Sequence, residues 1–547
     1  MQQKRGTRGV ALAHAAVVVV VLVATAALAL AAPPPSPPTV AQLAPSSRQA
    51  TEEPDEPTPT PEATGPENPY AGIDRSRVRR CVGNPPRQTE DPMSPPCVAY
   101  WDGEDNGGAT SKGVTKTQIN IVVPGGLAQL GKGIGGIVNH FNTRYEFYGR
   151  KINLKFLTTQ EFVSLLNPAH YAAYVEQIDT EMDAFGVITA GIVDGSVGTM
   201  YDMLAERGIV SVDVGAAFRT EEQLSRGGDY QWSFSMTDDK LQQHVTEFVC
   251  KNLVGGPAIH AGPELENTTR LFGIIVQRNP VGASMDASVL EAGLRACDAP
   301  LVPTERLTFI WNADPPVPDA KTVLAKLRSQ QVTSVLCVCA NQTMGRVMIA
   351  AEEIGWEPEW VSTGTGFQGS DSNLAAFWPP NQMQHFFGVS AEPKVNPFPN
   401  EAWFMAAREG DPTITAEYMR NQHSNWGATL ETMYESLLIF ATGIQGAGPN
   451  LTPETFAAAL RRAEFSNPGA GGPPYYQPRI WLEAGEHSFV KDATLTYWDP
   501  TVRPYDDPQL GTFCYVNRGR RYTLGNWPSN TDTKFYGKGR PPDVPCR

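Results

Sequence analysis

The chain has 547 residues, with 44 Lys+Arg against 58 Asp+Glu, and its net charge of −14 argues against a nonspecific nucleic-acid binder, which needs clustered cations. At 41% hydrophobic the composition can fill a globular core, and the length predicts two or three domains. Only one stretch is apolar for long enough to span a bilayer, which excludes a polytopic membrane protein.

That stretch is N-terminal. Lys4, Arg5 and Arg8 precede a run from Val10 to Ala32 whose polar interruptions are His14 and Thr25, and Pro33 follows. Residues 1–32 therefore read as an export signal with small-residue cleavage sites at Ala27, Ala29 or Ala31, or as an uncleaved membrane anchor through residues 10–32. Either reading places the protein outside the cytoplasm, secreted or at the cell surface. Residues 33–70 hold twelve prolines and six acids against one cation, Arg48, and cannot bury enough apolar surface to offset chain entropy, so an extended disordered spacer is expected. A Cys-containing extension occupies 71–112.

Eight cysteines in an exported chain predict disulfides. Local pairing joins Cys81 to Cys97, Cys250 to Cys297 and Cys514 to Cys546. Cys337 and Cys339 lie in the apolar run VTSVLCVC, where residues two apart share one strand face and a direct bridge is geometrically poor, so two buried thiols are expected there.

From residue 113 apolar runs alternate with amphipathic stretches. INIVV (119–123), a helix-like IGGIVNHFNTRYEF, KINLKFL, HYAAYVEQIDTEMDA, FGVITAG, SVGTMYDMLAERG and IVSVDVG read as strand and helix in turn, the order of a parallel doubly wound sheet. The order starts again with VTEFVCKNL and RLFGIIVQ and runs through VTSVLCVC to EWVSTG. Two similar α/β lobes are predicted. Ligands of such sheets bind beyond the carboxyl ends of the strands, which directs attention to the loops starting near Pro124, Ala190, Gly215, Gln277, Ala340 and Gly364.

No catalytic constellation emerges from these loops. The spacing GxxxxGK (Gly126, Gly131, Lys132) has Gly133 where a phosphate loop needs a hydroxyl, and Thr158 and Thr159 after the second strand offer no acid for a ribose. Ser196 in DGSVG and Ser284 in GASMD each lack one glycine of the nucleophile elbow. Ser488 and Lys491 match SxxK in isolation. The histidines form no metal-ligand spacing, so neither a metal nor a cofactor is expected and the chain is read as a non-enzyme.

Several segments resemble one family. GVTKTQINIVV, YGRKINLKF, YDMLAERGIVSV, YQWSFSMTDD and ETMYESLLIFATGIQGAGPNLTPETFAAAL are similar, in order, to the leucine/isoleucine/valine-type extracellular solute-binding proteins of bacterial ABC importers, across roughly residues 113–525. The resemblance implies the type I periplasmic-binding fold: two doubly wound parallel-sheet lobes joined by three crossings, near Phe234 to Asp239, Gly388 to Lys394 and Tyr475 to Arg479. Lobe one then combines 113–235 with 393–474, and lobe two 236–392 with the tail in 475–547.

Carried onto this chain, the family's ligand contacts fall at Ser196, at Ala216, Ala217 and Phe218 of GAAFR, at Asn279 of QRNPVGAS and at Thr365. Phe218 stands where a Thr is expected, Asn279 lies in a loop lacking the expected Tyr, and no acid for a ligand ammonium lies near Thr365 before Asp371. The implied function is capture of a small polar or amphipathic ligand, amino-acid-like or other, by hinge closure, with delivery to an ABC permease. A monomer is expected. A ligand-sensing cell-surface receptor without a transport role is the alternative.

Overall fold

The computed structural model describes residues 81–529 other than 104, 125–130, 158–167, 190–196, 214–217, 279–284, 309–317, 369–377, 394–399, 419–426, 466–476, 501 and 503–510. The export signal or anchor, the spacer, residues 71–80 and Cys546 lie outside the described residues. Among those described, no helix is long and apolar enough to cross a membrane.

The first sheet is all parallel, in the order β2 (Lys151–Leu157), β1 (Gln118–Pro124), β3 (Gly186–Thr189), β4 (Val210–Asp213), β5 (Gln231–Ser233). Its central strands β1 and β3 are rich in apolar residues because both faces are covered, while the edge strand β2 carries Lys151 and Lys155. On β1, Ile119, Ile121 and Val123 enter the core cluster shared with α1 (Gly131–Arg144), while Val122 enters the cluster built by α2 (Tyr171–Glu176) and α3 (Val197–Glu206). Ile134, Ile137, Val138 and Phe141 recur at helical spacing and give α1 its buried stripe.

After α4 (Glu221–Ser225), α5 (Asp238–Asn252) leads into the second sheet, ordered β12 (Thr512–Tyr515), β11 (Asp492–Asp499), β10 (Phe386–Ser390), β9 (Glu359–Ser362), β8 (Ser334–Val338), β6 (Phe272–Arg278), β7 (Glu305–Thr308). The short β13 (Tyr522–Thr523) pairs with β11, and β11 runs antiparallel to β10 and β12. The period of two is explicit here: Ile274 and Val276 pack with Leu336, Val338 and Phe387 on one face, and Ile275 with Val335, Cys337 and Phe386 on the other. The flanking helices are α6 (Ser288–Ala296), α7 (Pro318–Ser329), α8 (Asn341–Glu353) and the short α9 (Pro380–Met383). The chain then returns to the first sheet's core with α10 (Ala402–Gly410), α11 (Gly427–Ala447) and α12 (Pro453–Arg462). α10 lies directly against α1, because a Cβ added at Gly136 would collide with the Ala407 carbonyl and one at Gly410 with the Gly136 carbonyl.

Three passages of chain meet between the sheets. Ser233 donates its N–H to the His487 carbonyl (2.8 Å), and Phe489 and Val490 donate theirs to the carbonyls of Ser233 and Phe234 (both 3.0 Å). The Asp492 carboxylate, 1% exposed, accepts from Arg479 Nε (2.7 Å) and Arg521 Nε (2.8 Å), while Arg521 also donates to the carbonyls of Ala391, Glu392 and Asp492. Nearby, Lys240 Nζ reaches Glu221 (2.9 Å), Glu486 (2.7 Å) and the Ser488 hydroxyl (3.1 Å).

The extension forms a strap on the first lobe. The Cys81–Cys97 bridge (Cα–Cα 5.5 Å) closes a loop from which Asp91 accepts the Tyr434 hydroxyl (2.5 Å) and Gln88 accepts Arg144 Nη2 through its carbonyl (3.1 Å). Asn106 donates to the carbonyls of Lys116 and Tyr148, both at 2.8 Å. On the second lobe Trp527 donates its indole N–H to His244 Nδ1 (2.9 Å), and burial lowers the His244 pKa to about 4.

Cys250 is bonded to Cys297 (Cα–Cα 5.9 Å), and Cys514 is also disulfide-bonded. The expectation of two thiols at Cys337 and Cys339 is corrected: they are joined to each other, with Cα atoms 5.3 Å apart. Strand β8 ends at Val338 and Cys339 sits in a bend, which draws the two Cα atoms closer than the roughly 6.6 Å of an extended strand.

Replacing Asp492 by Ala leaves the buried guanidinium of Arg521 without its carboxylate. The expected cost is about 3–5 kcal/mol of unfolding free energy. Urea denaturation of the variant checks this, and a loss below about 1 kcal/mol, the range of an exposed pair, would show that the crossings do not depend on this ion cluster.

Candidate ligand cleft

In both sheets the strand order reverses next to the first strand, between β1 and β3 and between β6 and β8, and loops at such points diverge to leave a crevice. Of the sequence-predicted contacts, Phe218 and Thr365 are described, and Ser196, Ala216, Ala217 and Asn279 lie outside the described residues.

Phe218 follows β4 on the first lobe, yet its ring belongs to the apolar cluster of the second, with Val338, Ala340 and Val389. It reaches the turn after β9. A Cβ built at Gly366 would stand 2.7 Å from Phe218 Cζ and 2.8 Å from Ala340 Cα, and the φ of +59° at Gly366 suits glycine independently. The aromatic ring therefore bridges the lobes at the hinge side of the crevice. The next residue fixes its direction: Arg219, stacked 5.4 Å over the Tyr201 ring, donates to Gln231 Oε1 (2.6 Å) and the Gln223 carbonyl (3.1 Å).

Thr365 is tied to the first crossing. Its hydroxyl donates to Asp238 Oδ1 (2.8 Å) at the start of α5, and the Asp238 N–H donates to the Arg219 carbonyl (2.8 Å). The acid missing from the sequence around Thr365 is thus supplied by a distant element. It is not a free counter-charge, because Gln242 Nε2 occupies Asp238 Oδ2 (2.7 Å) and burial raises the Asp238 pKa to about 7. YQWSFSMTDD marked the crossing, but nothing local paired its first Asp with Thr365.

Three amides, Gln277, Gln368 and Asn341, stand on the described part of the second-lobe wall, and the first two are hydrogen-bonded. Gln277 Oε1, at the end of β6, accepts from the Ala340 N–H (3.0 Å) and the Thr343 hydroxyl (2.7 Å). Gln368 Nε2 donates to the carbonyls of Cys337 (2.8 Å) and Cys339 (2.7 Å), holding the bend that carries the disulfide. Asn341 opens α8 at the β6/β8 switch point and is 1% exposed. The sequence pointed to the loops starting near Gln277 and Ala340 but did not single out these amides as contacts; a polar residue at or shortly after the end of an apolar strand run was the available signal for Gln277 and Asn341.

The SxxK match does not assemble into acyl-transfer machinery, since Lys491 Nζ donates to the Ser488 carbonyl (2.6 Å) and the Ser488 hydroxyl donates to Glu221 (2.7 Å). Among the described residues no group of three or more His, Cys, Asp or Glu is placed to hold a metal ion. A hollow of about 460 Å³ lined by Gln118, Asn142 and Lys151 opens at the amino ends of β1 and β2, the wrong end of the sheet for a ligand of this fold.

The family profile described as "Periplasmic binding protein" matches residues 133–501. The chain belongs to this family. A search of curated proteins finds no match. Among solved structures the fold is similar to an ABC transporter substrate-binding protein of Aeropyrum pernix (12% identity, 76% of this chain and 97% of that one, TM-score 0.52). It is also similar to a solute-binding protein of Rhodopseudomonas palustris BisB5 in complex with 3,4-dihydroxybenzoic acid (13% identity, 76% and 99%, TM-score 0.52). A third is the closed leucine-, isoleucine-, valine-, threonine- and alanine-binding protein of Brucella ovis (14% identity, 75% and 97%, TM-score 0.51). At these identities the likeness establishes the periplasmic-binding fold and leaves the ligand to the residues of the cleft.

The raised pKa of Asp238 has a definite sign. The folded state holds a proton that the unfolded state releases above the ordinary value of 3.8, so the stabilisation is full below that value and is lost as pH rises to about 7. Asp238→Asn removes this slope, at most about 1.4 kcal/mol per pH unit. Glu392, also raised to about 7 by burial, keeps part of the same trend in the variant. Urea midpoints of wild type and variant between pH 5 and 8 are expected to converge as pH rises or cross; parallel curves would contradict the assignment.

Proposed function

We propose that this protein is an exported, non-enzymatic solute-binding protein that captures a small polar or amphipathic ligand between its lobes and delivers it to an ABC permease, acting as a monomer. The observation that carries the reading is the pair of α/β lobes joined by three passages of chain, with both switch points at carboxyl ends of strands. The family match supports ligand binding, and the N-terminal apolar run supports export. The contacts proposed are Ser196, Ala216, Ala217, Phe218, Asn279 and Thr365, with Asn341 added from the wall of the second lobe.

The physical logic is hinge closure. Ligand groups that touch both lobes favour the closed arrangement by their differential affinity, and the closed surface is what a permease reads. Branched-chain amino acids fit poorly. A zwitterion desolvated in the cleft needs a carboxylate for its ammonium, and the carboxylate that reaches Thr365 is already bonded on both oxygens. Phe218, packed with Val338, Ala340 and Val389, gives the crossing an apolar lining that supplies no partner for an ammonium.

A thermal-shift screen against amino acids, amides, aromatic acids and sugars tests the reading. A cognate ligand at a hundred times its dissociation constant stabilises by about 2.7 kcal/mol. The same ligand is expected to lower the radius of gyration in solution scattering. Superimposable scattering curves with and without a tight ligand would argue for a rigid scaffold, and micromolar binding of leucine, isoleucine or valine would overturn the ligand argument.

A further inference from the structure

The first turn of α8 carries polar atoms for which the fold has no use. Both amide atoms of Asn341, oxygen and nitrogen, are buried without a hydrogen-bond partner, and so is Oε1 of Gln342. Ala340, at the N-cap, has no side chain with which to cap the helix. Buried polar groups of folded proteins are nearly always paired, and leaving one unpaired is destabilising. Holding the turn does not require the Asn341 side chain: Gln277 already fixes the Ala340 N–H and the Thr343 hydroxyl, and Trp378 Nε1 donates to the Asn341 carbonyl (3.0 Å). The unpaired atoms stand at the β6/β8 switch point, where an α/β sheet receives its ligand.

We infer that Asn341 and Gln342 form a recognition edge for a neutral carboxamide, one that presents a C=O acceptor beside an N–H donor. The inference rests on the solute-binding reading above and specifies its ligand class. Asn341 supplies one donor and one acceptor side by side, the complement of an amide edge, and Gln342 supplies a further acceptor. The free N–H groups and positive end of α8 favour the partial negative charge of an amide oxygen. A carboxylate brings acceptors alone and leaves the oxygens of Asn341 and Gln342 unpaired. An ammonium brings a full charge, and Asp238 has both oxygens engaged.

The test is titration calorimetry of the full chain with isosteric sets: benzamide against benzoate, and isobutyramide against isobutyrate and valine. At least one amide is expected to bind tenfold or more tightly than its carboxylate partner. Asn341→Leu is expected to weaken that amide at least tenfold. Asn341→Asp, nearly isosteric but without the amide donor, should do the same, with circular dichroism at the titration temperature checking that the variant is folded. Equal or tighter binding of a carboxylate or of valine, or undiminished amide binding in Asn341→Asp, overturns the inference. Benzoate or valine binding that compacts the lobes, without any amide doing so, sinks the carboxamide class and leaves solute capture standing. No binding across both sets also overturns the inference, and solute capture falls with it only if a wider screen finds no compacting ligand.

Discussion

The carboxylate of Asp492 is where the two halves of the molecule become one. Its two oxygens take Arg479 and Arg521, and Arg521 reaches onward to the carbonyls after β10, so residues far apart in sequence share one buried charge balance. Breaking any one partner leaves a desolvated charge, a far larger penalty than losing a surface pair. Around this point the crossings are held to one another by backbone hydrogen bonds between Ser233, Phe234, His487, Phe489 and Val490.

On either side of that connection the chemistry is unequal. The first lobe contributes an aromatic ring aimed across the crevice and an arginine fixed beneath it. The second contributes amides, hydroxyls and a disulfide-bearing bend, with Asp238 kept near neutrality by burial. Under the proposed reading such a wall would discriminate by hydrogen-bond pattern, since a mismatched donor leaves the protein's own buried groups unpaired.

Much of this was legible in the sequence, and the reasons are local. Runs such as INIVV and FGIIVQ declared buried parallel strands, because sheets covered on both faces need continuous apolar sequence. Phe218 and Thr365 entered through the family resemblance, and the fold places both beside the first crossing. Asp238 did not enter that way, because its partnership with Thr365 spans 127 residues and no spacing rule connects them. The pairing of Cys337 with Cys339 was missed for a related reason: the period-two argument assumed that the strand continued through Cys339, and a one-residue difference in where β8 ends reverses the geometry. Gln277, Gln368 and Asn341 look like ordinary polar residues until the fold removes water from around them.

The strap closed by Cys81 and Cys97 grips Arg144, Tyr148 and Tyr434, all parts of the first lobe. Arg144 ends α1, so this grip lies toward the sheet edge opposite the cleft. The described ties of the extension therefore all belong to one lobe, and the strap and that lobe form a single piece.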